Sequence, residues 1–361
     1  MKPNEYVRDL IPYLPGKPVE ELQRELGITE AIKLASNENP LGPSPKALDS
    51  LRDKLADINW YPDGDCFYLK EKLSARLGVS SEGLIVGNGS NDVIEIAART
   101  FMKPGDEAIM GEFAFIVYPL VTKAIGAKAV ISPMPVLRHD LKDMYKRISA
   151  KTKMIFLANP NNPTGTMVTK QELEWFLEMV PEEIIILVDE AYFEYVDSED
   201  YPNSLDYQKS RDSIITVRTF SKIYGLAGIR LGYGVGSEDI ISYMNRVREP
   251  FNVNSLAQTA GISALRDYEH VNKSIQINDE GKKYMQTEFD KMGIKHFDSY
   301  TNFILIDLQA DPIPIYNELI KQGVIVRPVG GYGLNTHLRI SIGLMEQNVR
   351  FITALKNLIN T

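Results

Sequence analysis

Three segments of the chain place polar residues directly after runs that read as buried strands. Asn159-Pro-Asn-Asn-Pro-Thr-Gly165 follows the run ending near Phe156, and Asp189-Glu-Ala-Tyr192 follows Val188. Arg218-Thr-Phe-Ser-Lys-Ile-Tyr-Gly225 follows Val217, with Arg230 eight residues beyond Lys222. In an open parallel sheet, ligands settle beyond the carboxyl ends of the strands, so these three segments are where a site would form. Asp189 is the most telling of them. A carboxylate that ends an apolar strand needs a cation or hydrogen-bond donors to offset its lost hydration. A helix cap would also use an aspartate there. A fourth segment, Gly87-Asn-Gly-Ser-Asn-Asp92, lies between a β-type run (Leu84 to Val86) and a helix. Small residues there let backbone N–H groups approach an anion at a helix N-terminus. A plain strand-to-helix turn would use the same glycines.

The elements that must position these residues alternate in type. Lys153 to Ala158 reads as a strand and Lys170 to Met179 as a helix. Ile184 to Val188 is a continuous β-branched apolar run, the pattern of a strand covered on both faces, and Ser213 to Val217 and Gly228 to Val235 repeat it. Helices are expected at Phe67 to Leu77, ended by Gly78, and at Asp92 to Phe101, ended before Pro104. Strand and helix in alternation give an α/β unit with a mostly parallel sheet. From about Ser255 the texture changes. One long charged helical region runs to about Met292, followed by strands at Phe303 to Asp307 and Leu338 to Ile342 with a helix near Ile315 to Gln322. That is a smaller α+β unit. The first 30 or so residues, with a helix at Glu20 to Leu26, are expected to pack with it.

Bulk properties narrow the function classes. At 361 residues, 44% hydrophobic and 24% charged, the chain has ordinary globular composition and length for about two domains. The net charge is −8 and the basic residues are dispersed, which gives no footprint for nucleic acid. A single cysteine, Cys66, excludes an intramolecular disulfide. Met1 to Leu10 lacks an apolar signal segment, and the longest apolar run, Ile184 to Val188, is far too short to cross a bilayer. A soluble cytoplasmic protein that binds no membrane is the expectation. His139, His270, His296 and His337 lie far apart without metal-ligand spacing, so no metal is expected.

Taken together, the segments resemble the fold-type I family of pyridoxal phosphate (PLP) dependent aminotransferases, and within it the histidinol-phosphate branch. The resemblance runs from Tyr13 to Ile342. Its markers are Asn37-Glu-Asn-Pro40, Tyr61-Pro-Asp-Gly64, Asn161-Asn-Pro-Thr-Gly165, Asp189-Glu-Ala-Tyr192, Ser221-Lys222 with Arg230, and Leu338-Arg-Ile-Ser-Ile-Gly343. No single tetrapeptide decides the matter; the ordered set does.

The resemblance implies an α/β fold with a large domain, residues 40–255, built on a mostly parallel seven-stranded sheet. A smaller α+β domain would comprise residues 1–30 and 265–361. It implies that Lys222 is the Schiff-base lysine, with an amine depressed toward neutrality by the cationic cofactor and Arg230. Asp189 would pair with the pyridinium nitrogen. Asn162 and Tyr192 would hydrogen-bond the ring's phenolic oxygen. Phe115 would stack on the ring, with Phe113 as the alternative because Glu112-Phe-Ala-Phe-Ile-Val-Tyr118 lacks the usual proline. Gly89, Ser90, Asn91, Thr219, Ser221 and Arg230 would hold the phosphate, joined by Tyr61 from a neighbouring subunit of a homodimer with shared active sites. Arg339 would bind substrate carboxylate or phosphate, assisted by Arg327 and Tyr13, with Asn37 near the substrate amine. The implied reaction moves an amino group between a small-molecule donor and a 2-oxo acid. In this branch it converts L-histidinol phosphate and 2-oxoglutarate to imidazole-acetol phosphate and L-glutamate, in histidine biosynthesis. An aromatic amino-acid aminotransferase, a threonine-phosphate decarboxylase and a non-catalytic PLP-binding regulator are the alternatives.

Overall fold

The computed structural model describes residues 3–12, 19–27 and 30–359. Its centre is a seven-stranded sheet. The strands are β2 (Leu84–Gly87), β3 (Glu107–Gly111), β4 (Lys128–Ser132), β5 (Thr152–Ala158), β6 (Ile185–Asp189), β7 (Ile214–Thr219) and β8 (Gly232–Val235), after a short β1 (Ile32–Lys33) outside this sheet. The order across the sheet is β2-β8-β7-β6-β5-β3-β4. Only β8 runs against the others, pairing antiparallel with both β2 and β7.

The continuous apolar runs follow from burial on both faces. Along β5 and β6, Met154, Phe156, Ile185 and Leu187 join one core, with Val93, Ile94 and Tyr118 from the helices Ser90–Phe101 and Val117–Ile125. The alternate residues Ile155, Leu157, Ile186 and Val188 join a second core with Leu173 and Phe176 of the helix Lys170–Met179. The period of two therefore puts Asp189 on the first face and Glu190 on the second. At the end of β7 the same alternation puts Thr219 with Asp189 and Arg218 with Glu190.

A second, antiparallel sheet has the order β12-β13-β10-β9, from β9 (Lys295–His296), β10 (Phe303–Asp307), β12 (Arg327–Pro328) and β13 (His337–Ser341). Its core gathers Ile304, Ile306, Leu338 and Ile340 with Met285, Phe289, Phe351 and Leu355 from the helices Tyr268–Lys291 and Met345–Ile359. Strand β1 joins this unit by pairing parallel with β11 (Val324–Ile325).

Several expectations from sequence change. β3 and β4 went unread. β4, at the sheet edge, is partly exposed and begins with Lys128, so it offers no clean apolar run. The region from Ser255 to Met292 is two helices, Ser255–Ala264 and Tyr268–Lys291. Asp267 separates them and caps the second by accepting from His270 N. The run Gly228 to Val235 is strand only from Gly232, because Ala227–Ile229 is a single 3-10 turn and Arg230 is left-handed (φ 62°). Residues 3–12, expected beside the smaller unit, lie on the flank of the large one. There Val7, Leu10 and Ile11 face Leu120, Val121 and Ile125, and Lys123 Nζ donates to the Asp9 carbonyl at 3.2 Å. Gly126 lies so close to the Tyr6 ring that a Cβ would sit 2.7 Å from it.

Candidate active site

The three strand-end segments meet at one cavity of about 230 Å3. β5 delivers Ala158 and, after it, Pro160 and Asn162; β6 delivers Asp189, then Ala191 and Tyr192; β7 delivers Thr219, then Ser221 and Lys222. Ser90, Asn91, Phe115 and Arg230 complete the wall on one side, and Ser36 and Glu38 on the other.

Asp189 is 5% exposed. Its Oδ2 accepts from the Tyr118 hydroxyl at 2.8 Å and its Oδ1 from Ala191 N at 3.1 Å. Burial pushes the carboxyl up to about 6, against those two donors, which hold it down. Among the described residues no cation forms an ion pair with it, and the Lys222 charge is the last of the influences on its pKa. Lys222 Nζ donates to the Ser36 carbonyl at 3.3 Å and lies 5.8 Å from the centre of the Tyr192 ring. Burial brings its amine down to about 8, with the Arg339 charge as the next cause and Arg230 a smaller one; Glu38 and Asp189 oppose them. The expected depression is present, but desolvation dominates it rather than Arg230.

Tyr192 is buried, and its hydroxyl accepts from Asn37 Nδ2 at 2.9 Å. Burial pushes that phenol up to about 12. Asn37 is itself fixed in a left-handed conformation (φ 56°) by Ser341. Its N–H donates to the Ser341 hydroxyl at 2.8 Å, which in turn donates to Asn37 Oδ1 at 2.9 Å. Arg339, on β13, donates to the Asn162 side-chain oxygen and, at 2.6 Å, to the Ala35 carbonyl. The second sheet thus touches the cavity wall through Asn162, although neither Arg339 nor Asn37 lines the cavity itself.

The wall around Ser90, Asn91 and Arg230 gathers hydrogen-bond donors. Ser90 and Asn91 open the 12-residue helix Ser90–Phe101, whose N-cap is Gly89 at φ 85°. A Cβ on Gly89 would lie 2.3 Å from an Arg230 guanidinium nitrogen, so only glycine lets the guanidinium cross that N-terminus. Arg230 donates to the Ala227 carbonyl at 3.0 Å and to the Ser221 hydroxyl at 3.4 Å. Thr219 Oγ1 accepts from Ser221 N at 3.1 Å and holds that turn in shape. Backbone donors, hydroxyls and a forked cation are the donor set of a phosphate site.

Not every expected residue joins the cavity. Phe115 lines it, whereas Phe113 packs with Leu305, Val329 and Leu334. Tyr61 is 83% exposed and stacks on Phe251 with ring centres 4.8 Å apart, outside the cavity of its own chain. Arg327 sits opposite Arg339 across β12 and β13, which sets two guanidinium residues side by side on one face, but it does not line the cavity. Tyr13 lies outside the described residues. The sequence reading missed Ser36, Glu38 and Tyr118. Glu38 stood inside a quoted marker, while Tyr118 left no local signal for its bond to Asp189. Among the described residues no group of His, Cys, Asp or Glu could hold a metal ion, and no helix is long and apolar enough to cross a membrane.

Known proteins agree with this layout. The family model for aminotransferases of class I and II matches residues 29–355. The chain is 48% identical over 359 residues to a histidinol-phosphate aminotransferase of Moorella thermoacetica, covering 99% of this chain and 93% of that one. It is 48% identical over 351 residues to a histidinol-phosphate aminotransferase of Pseudomonas fluorescens, covering 97% and 95%. The crystal structure of histidinol-phosphate aminotransferase from Sinorhizobium meliloti in complex with pyridoxal-5'-phosphate superposes with a TM-score of 0.90 at 24% identity, covering 99% of this chain and 97% of that one.

Proposed function

The chain belongs to the class I and II aminotransferase family, and we propose that it is a PLP-dependent histidinol-phosphate aminotransferase. In this reading it converts L-histidinol phosphate and 2-oxoglutarate to imidazole-acetol phosphate and L-glutamate, in histidine biosynthesis. A cytoplasmic location belongs to the same reading. The observation that carries it is the cavity itself: Lys222, Asp189 and an anion cradle arrive from separate strand ends, in a chain nearly half identical to enzymes of that name.

PLP, when bound, supplies a ring that takes up the electron pair left when the substrate Cα gives up its proton. Lys222 would anchor it covalently. With an amine near 8, Nζ is neutral in a usable fraction at physiological pH, so it can take the Cα proton and return it in each half of the cycle. Asp189, buried and lacking a cation, would pair with the ring nitrogen and keep it protonated. Asn162 gives its side-chain oxygen to Arg339, which leaves Nδ2 to donate to the ring's phenolic oxygen. Tyr192 accepts from Asn37, which leaves its own O–H for the same oxygen. Ser90, Asn91, Thr219, Ser221 and Arg230 would hold the phosphate, with Gly89 giving Arg230 its room. Phe115 would lie against the ring. Arg339 would bind substrate carboxylate or phosphate, with Arg327 beside it on the sheet and Tyr13 assisting.

A homodimer completes the reading. Leu55, Ile58, Trp60, Tyr61, Phe67 and Tyr68 form an apolar, aromatic and exposed stretch. Contiguous apolar surface of this kind favours association. A second copy would cover it and receive Tyr61 at its cofactor phosphate.

A half-reaction screen tests the substrate. The purified PLP form is mixed with histidinol phosphate, phenylalanine, tyrosine or glutamate, and bleaching of the cofactor's visible absorption is followed. Histidinol phosphate should react fastest of the first three. Equal or faster reaction with phenylalanine or tyrosine would make this an aromatic aminotransferase, and release of CO2 from threonine phosphate without an oxo acid would make it a decarboxylase.

A further inference from the structure

We propose that Glu190 and Arg218 are a positioning pair: on the face of the sheet opposite the cavity, they lock together the strand ends that carry Asp189 and Lys222. The inference rests on the proposed PLP chemistry and concerns residues to which that chemistry assigns no role.

β6 and β7 run side by side to the cavity, with Asp189 opposite Val217 and a closing hydrogen bond from Glu190 N to the Val217 carbonyl at 2.8 Å. The pairing of β6 with β7 ends there, and each chain must still place a cavity residue. At this point the ion pair takes over. Arg218 Nε and one terminal nitrogen both donate to Glu190 Oε2, at 2.9 and 2.7 Å. That terminal nitrogen also donates to Asn203 Oδ1 at 2.8 Å. Glu190 Oε1 accepts from Ser204 N at 2.9 Å. The guanidinium carbon lies 3.5 Å from the centre of the Phe193 ring. Glu190 is fully buried and Arg218 is 3% exposed.

The pair is therefore buried, and both partners are hydrogen-bonded beyond each other. Stability is a weak account of it, because apolar residues of similar volume often stabilise a protein as well as a buried ion pair does. Its place in the chain gives a better account. Glu190 adjoins Asp189 covalently. Arg218 adjoins Thr219, whose hydroxyl holds Ser221 N one residue before Lys222. A shift of either strand end passes directly to the carboxylate or the amine. Such groups must be held within about 0.5 Å of their productive geometry.

The test uses the holoenzyme carrying Glu190→Gln with Arg218→Met, a neutral pair of similar volume. Arg218→Lys serves as a milder change that keeps the charge and loses the fork. Four quantities are read: cooperative unfolding of the cofactor-free protein, the PLP dissociation constant, the visible circular dichroism of the bound cofactor, and kcat against KM. The double variant should unfold cooperatively near the wild-type temperature. It should bind PLP about tenfold more weakly, with altered circular dichroism and kcat lowered roughly 10- to 100-fold at nearly constant KM. Arg218→Lys should move in the same direction and less far. If folded variants keep wild-type cofactor affinity, circular dichroism and kcat, the proposal is overturned. If both variants lose cooperative unfolding of the cofactor-free form, the pair is structural and the proposal is equally overturned. Failure of the wild type itself to bind PLP would overturn the underlying chemistry instead.

Discussion

The two faces of the sheet at the ends of β6 and β7 treat charge in opposite ways. On the reverse face, Glu190 and Arg218 answer each other, and Asn203, Ser204 and Phe193 take up what remains. On the cavity face, one residue away, the hydrogen-bond donors to Asp189 among the described residues are a phenol and a backbone N–H, and its carboxyl rises to about 6. Among the described residues Lys222 finds a single carbonyl within hydrogen-bond reach, and its amine falls to about 8. The scaffold completes its charges where no ligand arrives and leaves them incomplete where a ligand must finish them. Perturbed groups of this kind gather at functional sites.

The largest effect expected from breaking this contrast comes from Lys222→Ala. It removes both the anchor and the base, so turnover should fall on the order of 10^4-fold, and the absorption of lysine-bound PLP should vanish. A variant with normal turnover would remove the cavity's claim to chemistry. Folding of the cofactor-free protein should not be impaired, because the amine is held by one carbonyl and burial disfavours its charged form.

Asp189→Asn separates function from stability. In the cofactor-free protein the Asp189 pKa is raised, so the folded state disfavours the carboxylate. That cost is fully present above about pH 6 and disappears below 3.8, the model-compound value. A rise from 3.8 to about 6 corresponds to about 3 kcal/mol. Denaturant titration of cofactor-free Asp189→Asn should therefore show a gain approaching about 3 kcal/mol at pH 8, shrinking toward pH 5. Turnover should fall by roughly 10^2- to 10^3-fold, because the ring nitrogen loses its anion. Loss of stability at pH 8 would place Asp189 with Glu190, among the satisfied groups.

The cavity face was more legible in the sequence than its supports. Lys222, Asp189, Asn162 and Arg230 follow buried strands at fixed spacings, and alternation along a strand fixes which face each one meets. The phosphate turn could be read because glycine, serine and a helix start fall together at Gly89 and Ser90. Glu190 and Arg218 stood in the quoted segments as ordinary charged letters; only the parallel pairing of β6 with β7 brings them into contact. The break at Asp267 was hidden because Leu265-Arg-Asp267 has no proline or glycine. Residues 3–12 were misplaced because proximity in sequence to β1 says nothing about which flank offers the apolar groove.

Tyr118 is the residue whose role was least visible, and Tyr118→Phe gives the smallest and sharpest test. Its hydroxyl reaches Asp189 across 71 residues of chain. Its ring stacks on Phe156 at 4.8 Å with 6° between the planes and meets Phe115 edge-on at 5.8 Å. The ring belongs to the core, and the hydroxyl turns to the carboxylate of Asp189, which lines the cavity. Removing only the hydroxyl keeps the stacking, so the melting temperature should barely move at pH 5, where Asp189 is largely protonated, and fall modestly at pH 8, where the buried carboxylate has lost a donor. The Asp189 carboxylate loses a donor that favours its charged form, so its pKa should climb further. A hydrogen bond to a charged group contributes about 1.5–3 kcal/mol, and the lower end of that range, a roughly tenfold loss in PLP affinity, is expected because Ala191 N still donates to the carboxylate. The pH dependence carries the decision. Wild-type affinity should weaken as pH falls through the range where Asp189 takes up a proton, and in Tyr118→Phe that weakening should begin at higher pH. Dissociation constants measured from pH 5 to 8 should differ most at the acid end. If the variant instead matches the wild type in affinity at every pH but melts early, the hydroxyl serves the core. The line between completed and incomplete charge would then run above Tyr118 and not through it.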